Sequence, residues 1–329
     1  MTRQPNRRHI LLTGLAGAAA TLGVPAARAQ AWPSRPGTVI VPFPAGGGTD
    51  AFARPLFAAI GRNTGRQFVI DNRGGAGGTV GASLAAKATP DGYNFFMGAV
   101  HHTIAPSMYP RLDYDILTDL VPVGLVASVP QVVVVNPQRV QQTDLPSFIE
   151  HVRRNPGRLN YGSAGNGTSH HLAGELFKIQ TKTFITHIPY RGAGPMLQDL
   201  VAGQVDMCFD GMGSSSGHIR GGRIRPLAVA SEKRVAAFPD LPTAAEQGLP
   251  DYKVSTWYGI WAPRGTPADA IAGMQNAMRA AFAADEVRQV WTNQGAEMPN
   301  LWGAEYGRFI ASEVQRWAAV VKASGAKLD

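Results

Sequence analysis

Thr38-Val39-Ile40-Val41-Pro42-Phe43-Pro44-Ala45-Gly46-Gly47-Gly48-Thr49-Asp50-Ala51 is the stretch that decides the fold. A short β-branched run, Thr38–Phe43, gives way to consecutive glycines and then to a helix-like segment, Ala51–Arg62. In that segment Phe52, Leu56, Phe57 and Ile60 fall on one face, the spacing of an amphipathic helix. Pro55 sits awkwardly within it, because proline is tolerated in a helix only near the first turn. Phe68–Asp71 reads as the next strand, Gly74–Gly81 as a turn into a small-residue helix ending near Lys87, and Asn94–Val100 as a third strand. This β-α-β-α-β order predicts a parallel sheet covered by helices.

The pattern then begins again. Leu125–Asn136 is extended and long enough to cross from one lobe to another. It is followed by helix-like Leu145–Arg154, strand-like Leu159–Ser163, helix-like Ser169–Gln180, strand-like Phe184–Pro189 and helix-like Pro195–Ala202. Strands at Val205–Phe209 and Pro226–Ala230 complete a second sheet, and Val254–Pro263 is a return crossing. Helices at Pro267–Ala283, Ala284–Thr292 and Glu305–Ser324 close the chain; in the last, Phe309, Ile310, Val314, Trp317 and Val321 make one apolar face. The expected class is α/β: two doubly wound lobes joined by two extended crossings, with lobe one formed by 30–128 plus 256–329 and lobe two by 129–255. Two such crossings imply a hinge, and a hinge implies a cleft.

The 329 residues are 44% hydrophobic and 16% charged, the balance of a globular protein and not of a disordered or membrane chain. At the N-terminus Arg7-Arg8 precede an apolar run from Ile10 to Val24, and Ala27-Arg28-Ala29 supplies a small-x-small site. That order predicts a secretory signal peptide over residues 1–29, by the general or the twin-arginine route, and hence a periplasmic location. Cleavage after Ala29 removes four arginines and no acidic residue, which takes the formal net charge from +8 to +4. A mild excess of this kind attracts small anions and gives no footing for nucleic acid. Cys208, the single cysteine, rules out an intrachain disulfide and a multi-cysteine metal site; its apolar neighbours predict a buried thiol.

Two loops are built alike, one in each expected lobe. The first carries Phe43, Ala45, Gly46, Gly47, Gly48, Thr49 and Asp50; the second carries Ser163, Ala164, Gly165, Asn166, Gly167, Thr168 and Ser169. Each runs from a strand into a helix, where first-turn amides lack partners within the helix and favour an anion. Two such starts facing across a cleft would grip one carboxylate. The plainer alternative is that Thr49 and Ser169 cap their helices and the glycines only make turns.

Other motifs compete. Gly46-x-Gly48-x-x-Ala51, with Asp71 twenty residues further on, fits a dinucleotide fingerprint and supports an NAD-dependent oxidoreductase if residues 1–29 are not a signal. Gly213-Ser214-Ser215-Ser216-Gly217 fits a nucleophile elbow, yet no histidine lies beyond His218 to complete the usual hydrolase order. His101-His102 and His170-His171 are adjacent pairs and lack the i, i+4 spacing of a helical metal site. His101 and His102 follow the third strand, where open α/β sheets place ligands, and Asp210 is similarly placed in lobe two.

Trp32-Pro33-Ser34-Arg35-Pro36, the Val41–Asp50 loop and Asp71-Asn72-Arg73-Gly74-Gly75-Ala76-Gly77-Gly78 resemble the opening of a known family. Pro90-Asp91-Gly92-Tyr93, Asn160–Thr168, His187-Ile188-Pro189-Tyr190-Arg191-Gly192 and Leu241-Pro242-Thr243 continue the likeness. Together they resemble the Bug-type (TctC-like) receptors of tripartite tricarboxylate transporters over essentially the whole chain beyond the signal. The resemblance implies a type II periplasmic-binding-protein fold and a monomeric receptor that takes up a small carboxylate, an aliphatic dicarboxylate or an aromatic carboxylate. It implies no catalytic residue, cofactor or metal, and partners limited to a membrane permease or a sensor kinase. It further implies that Ala45, Gly46, Gly48, Thr49, Ser163, Ala164, Thr168 and Ser169 hold the carboxylate, with Phe43 as a wall and Asp210 near the ligand's variable part. Two departures stand out: Gly211 replaces an asparagine, and His101 replaces a small or hydroxylated residue.

Overall fold

A computed structural model describes residues 32–324; the expected signal segment lies outside the described residues. In chain order the elements are β1 (Gly37–Val41), α1 (Gly48–Thr64), β2 (Phe68–Asn72), α2 (Thr79–Ala86), β3 (Asn94–Ala99) and α3 (His101–Met108). There follow β4 (Leu120–Val135), α4 (Leu145–Arg154), β5 (Asn160–Ser163), α5 (Ser169–Thr181), β6 (Thr186–Pro189), α6 (Ala193–Val201), β7 (Met207–Gly211) and α7 (Met212–Arg220). Finally come β8 (Arg225–Val229), β9 (Ser255–Pro263), α8 (Ala268–Ala283), α9 (Asp285–Asn293) and α10 (Gly303–Ser324).

Strand pairing explains the two lobes. In the first, β1 pairs in parallel with β2 and β3, and β3 meets β9 in antiparallel. In the second, β5 pairs in parallel with β6 and β7. Strand β4 belongs to both: it pairs with β9 as far as Pro130 and with β7 from Gln131 onward. One continuous strand therefore leaves the first sheet and enters the second, and β9 returns beside it.

Burial follows the residue pattern. β4 reads Leu-Val-Pro-Val-Gly-Leu-Val-Ala-Ser-Val-Pro-Gln-Val-Val-Val-Val and is buried almost throughout, as expected of a strand covered on both faces. α4 matches its predicted bounds because its signals are complete: Asp144 accepts the Ser147 amide as cap, Pro146 occupies the first turn, and Leu145, Phe148 and Val152 face inward. Cys208 is buried with no solvent exposure, and that burial pushes its thiol well above the usual value. α10 is tied to β9 through buried Glu313, which accepts from Trp257 Nε1 at 2.8 Å and Trp317 Nε1 at 3.2 Å.

Three local features run against simple helix propensity. Pro55 lies in the interior of α1, eighth from its start, so the helix runs through it with no proline N–H for the Ala51 carbonyl. The segment from His101 is helical despite Pro106, and Gly213–Gly217 lies within α7.

Close packing between β9 and α10 gives a direct test. A methyl group on Gly259 would lie 1.8 Å from Tyr306 Oη. Gly259→Ala is expected to lower unfolding free energy by about 1–3 kcal/mol, read as a lower urea midpoint.

Candidate functional site

The starts of α1, α3, α5 and α6 all come to the boundary between the lobes. α1 begins at Gly47 with no side-chain cap, so its first-turn amides have no partner from a capping side chain. Gly46 has φ +84°, the left-handed region that favours glycine. Asp50 is turned into its own loop: it accepts from the Gly46 amide, from Asn72 Nδ2 and twice from Arg54. The carboxylate thus fixes the loop shape and is neutralised by Arg54. Thr49 is buried in the same turn.

The second loop is braced from behind. Gly165 donates to Ser163 Oγ at 3.1 Å, Ser163 Oγ lies 2.6 Å from His187 Nε2, and Thr168 Oγ1 donates to the Gly165 carbonyl at 2.7 Å. Gly167 donates to His171 Nδ1 at 3.2 Å, and His171 stacks on His187 with centroids 4.3 Å apart. Burial pushes His187 down to about 3 and lowers His171 as well. Both rings are neutral at physiological pH, and His171 Nδ1 serves as an acceptor. The Ser163 and Thr168 hydroxyls are therefore engaged within the loop; Ala164, Gly165 and Asn166 line the cavity.

The two loops do not oppose one another directly. A methyl group built on Gly194, at the start of α6, would lie 2.6 Å from the Ala45 carbonyl, so the first loop meets α6. One built on Gly165 would lie 3.7 Å from Gly77, so the second loop meets the 75–78 turn of lobe one. Between these contacts lies a cavity of about 380 Å³ lined by Phe43, Gly75–Gly78, Tyr109, Ala164–Asn166 and Pro189–Arg191. A second, open depression of about 610 Å³ flanks the crossing at Pro130, Ser231–Ala237 and Gly295–Glu297. None of these four helix starts lines it.

The floor of the cleft is polar and buried. Gln131 Nε2, at the partner change of β4, donates to Ser169 Oγ at 3.0 Å and to Thr256 Oγ1 on β9 at 3.1 Å. The first residue of α5 is thereby tied to both crossings. Tyr258 lies under Gly48, with its hydroxyl 2.0 Å from where a Gly48 methyl would sit; burial, then Asp210, raises its value. Asp210 accepts from Ser214 Oγ at 2.7 Å and Ser215 Oγ at 2.6 Å, and its other oxygen lies 3.2 Å from His170 Nε2. His102 contacts the Ala99 backbone and the Gly78 carbonyl, and burial lowers it to about 4. His101 packs on Phe43 at 5.2 Å and accepts the Ser169 amide at 3.0 Å.

Sequence reasoning singled out Phe43, the two loops, His101, His102 and Asp210, all of which the structure brings to this boundary. It missed Ala76–Gly78, Tyr109, Tyr190, Arg191, Gln131, Thr256 and Tyr258. The glycine run Gly74–Gly78 and the Tyr190-Arg191-Gly192 triplet were visible signals. Gln131 and Thr256 become a site only when two crossings lie side by side.

Two α/β lobes on shared crossings, with glycine-rich helix starts at their boundary, define a solute-binding receptor. The chain belongs to the tripartite tricarboxylate transporter family receptors, whose family model matches residues 52–326. Protein BugT of Bordetella pertussis is 36% identical over 323 residues, covering 98% of each chain. A UPF0065 protein from the tcbD-tcbE intergenic region of Pseudomonas sp. (strain P51) is 38% identical, over 95% of this chain and 94% of its own. Among solved structures, R. palustris Rpa4515 with adipate aligns with TM-score 0.87 at 37% identity, over 90% of this chain and 100% of that one. MatC (Rpa3494) from Rhodopseudomonas palustris with bound malate aligns with TM-score 0.83 at 34% identity, over 88% and 100%.

Family membership sets aside both enzyme readings. Asp71, required by the dinucleotide reading, pairs with Arg73 at 2.9 Å. Ser215 donates to Asp210, and the same carboxylate meets His170; aspartate is in the middle, whereas a nucleophilic serine needs histidine there.

Contact between Ala45 and Gly194 gives a selective test of closure. Gly194→Val is expected to weaken ligand binding on the order of tenfold or more, while the melting temperature of the ligand-free protein stays unchanged. Calorimetry and thermal unfolding together check this, because the obstruction lies between lobes and not within one.

Proposed function

We propose that this protein is a periplasmic receptor that captures a small carboxylate between its lobes and delivers it to a membrane permease or a sensor. The observation that carries the reading is one cavity at the lobe boundary, walled by Phe43, the Gly75–Gly78 turn and the glycine-rich Ala164–Asn166 loop, with the uncapped glycine start of α1 following Phe43 and lying against α6. Main-chain donors there accommodate an anion without a buried cation. Lobe one is taken as 30–128 plus 256–329 and lobe two as 129–255, with bending where β4 exchanges partners at Pro130 and Gln131. The ligand's greater affinity for the closed arrangement drives closure.

Arg191 lines the same cavity and makes no ion pair among the described residues. A guanidinium there matches a second carboxylate, which favours an aliphatic dicarboxylate over an aromatic carboxylate. Adipate and malate in the two R. palustris relatives are consistent with that choice.

A thermal-shift and calorimetry panel of adipate, malate, hexanoate and benzoate tests the reading. Saturable one-to-one binding of a dicarboxylate, with a raised melting temperature and no consumption of ligand, is expected. Arg191→Gln should weaken adipate about threefold and leave hexanoate unaffected. A panel with no stabilising carboxylate would defeat the proposal.

A further inference from the structure

The α5 start, the place where an anion would meet lobe two, already has an acceptor from lobe one. Ser169 donates its amide to His101 Nδ1 at 3.0 Å, and both residues are buried. Eight residues further along the same polypeptide, Tyr109 Oη donates to the Asn166 carbonyl at 3.1 Å. The two ends of α3 therefore hold the 166–169 segment of the opposite lobe by direct hydrogen bonds. We propose that His101 is a positioning residue whose neutral imidazole latches the lobes closed, so that ligand affinity depends on pH through this one side chain.

The chemistry is one of donors and acceptors. Ser169 N–H is a donor, so Nδ1 must present its lone pair and the ring's single proton must lie on Nε2. A second proton would turn Nδ1 into a donor facing a donor. Groups facing the ring are His102 beside it on α3, His170 on α5 with centroids 5.4 Å away, and Asp210 on β7 through its 3.2 Å contact with His170. Phe43, from the loop after β1, is uncharged. Burial, followed by His170 and His102, holds His101 well below the ordinary histidine value in the closed arrangement. The sign follows: closure has its full strength above the ordinary histidine value, about 6.5, and loses it progressively as pH falls below that.

The inference rests on the carboxylate reading for one readout and stands apart from it for the other. With adipate as the probe, wild-type affinity should be about tenfold weaker at pH 5.5 than at pH 7.5. His101→Asn keeps an acceptor near the Nδ1 position without a titrating group; it should bind adipate close to the wild type at pH 7.5 and stay flat with pH. His101→Leu should be about threefold to tenfold weaker at pH 7.5 and equally flat. A wild-type pH profile persisting in His101→Asn overturns the latch. So does unchanged affinity in His101→Leu. Hydrogen exchange of the 166–172 segment in ligand-free protein at pH 7.5 needs no ligand: His101→Leu should exchange faster at an unchanged melting temperature. Equal exchange rates defeat the latch; wild-type protein that ignores adipate counts against the carboxylate reading alone, and the exchange result then decides the latch.

Discussion

A helix cannot satisfy the amides of its own first turn, and this protein gathers several such turns at one boundary. α1 begins without a side-chain cap. α5 begins under Thr168, which accepts the His171 amide, and its Ser169 amide reaches across to His101. α6 begins at Gly192 without a side-chain cap and lies against the Ala45 turn. The sheets place these starts together because each follows the carboxyl end of a parallel strand, β1, β5 or β6. Glycine is needed where the turns touch: Gly46 and Gly165 have positive φ, and Gly194 sits too near a carbonyl for any side chain.

Each of the two carboxylates at the boundary has partners within the protein. Asp50 is held by Arg54 and by its own loop, and Asp210 by two serine hydroxyls and His170. Burial keeps His102, His187 and His171 deprotonated, so these rings act as shape and as neutral hydrogen-bonding groups, not as a block of positive charge. On the proposed reading a ligand would meet a set of oriented dipoles, with Arg191 at the cavity wall. Such dipoles cost no reorganisation when an anion arrives, because the loops that carry them are already braced.

Much of the fold was legible because its signals are local. Leu145–Arg154 carries a cap, a proline in its first turn and an apolar face, and its ends fall where those signals put them. Leu125–Asn136 was recognised as extended from its β-branched run, while the strand itself runs from Leu120 to Val135. His101–Met108 escaped because Pro106 and two histidines argue against a helix, and Met212–Arg220 because Gly-Ser-Ser-Ser-Gly has low helix propensity; there Asp210 accepts from Ser214 and Ser215 and holds the turn. The candidate site was legible as two loops but not as an arrangement. Which loop meets which depends on how the lobes sit, and no residue pattern encodes that Gly194 lies against Ala45 or that Gln131 bridges Ser169 and Thr256.

The most direct measurement is a crystal structure of the protein grown with adipate. One carboxylate should lie within hydrogen-bond distance of the main-chain amides at the start of α1, with the lobes touching where Ala45 meets Gly194. A carboxylate held only by side chains, or bound with the lobes apart, would contradict capture by helix-start amides.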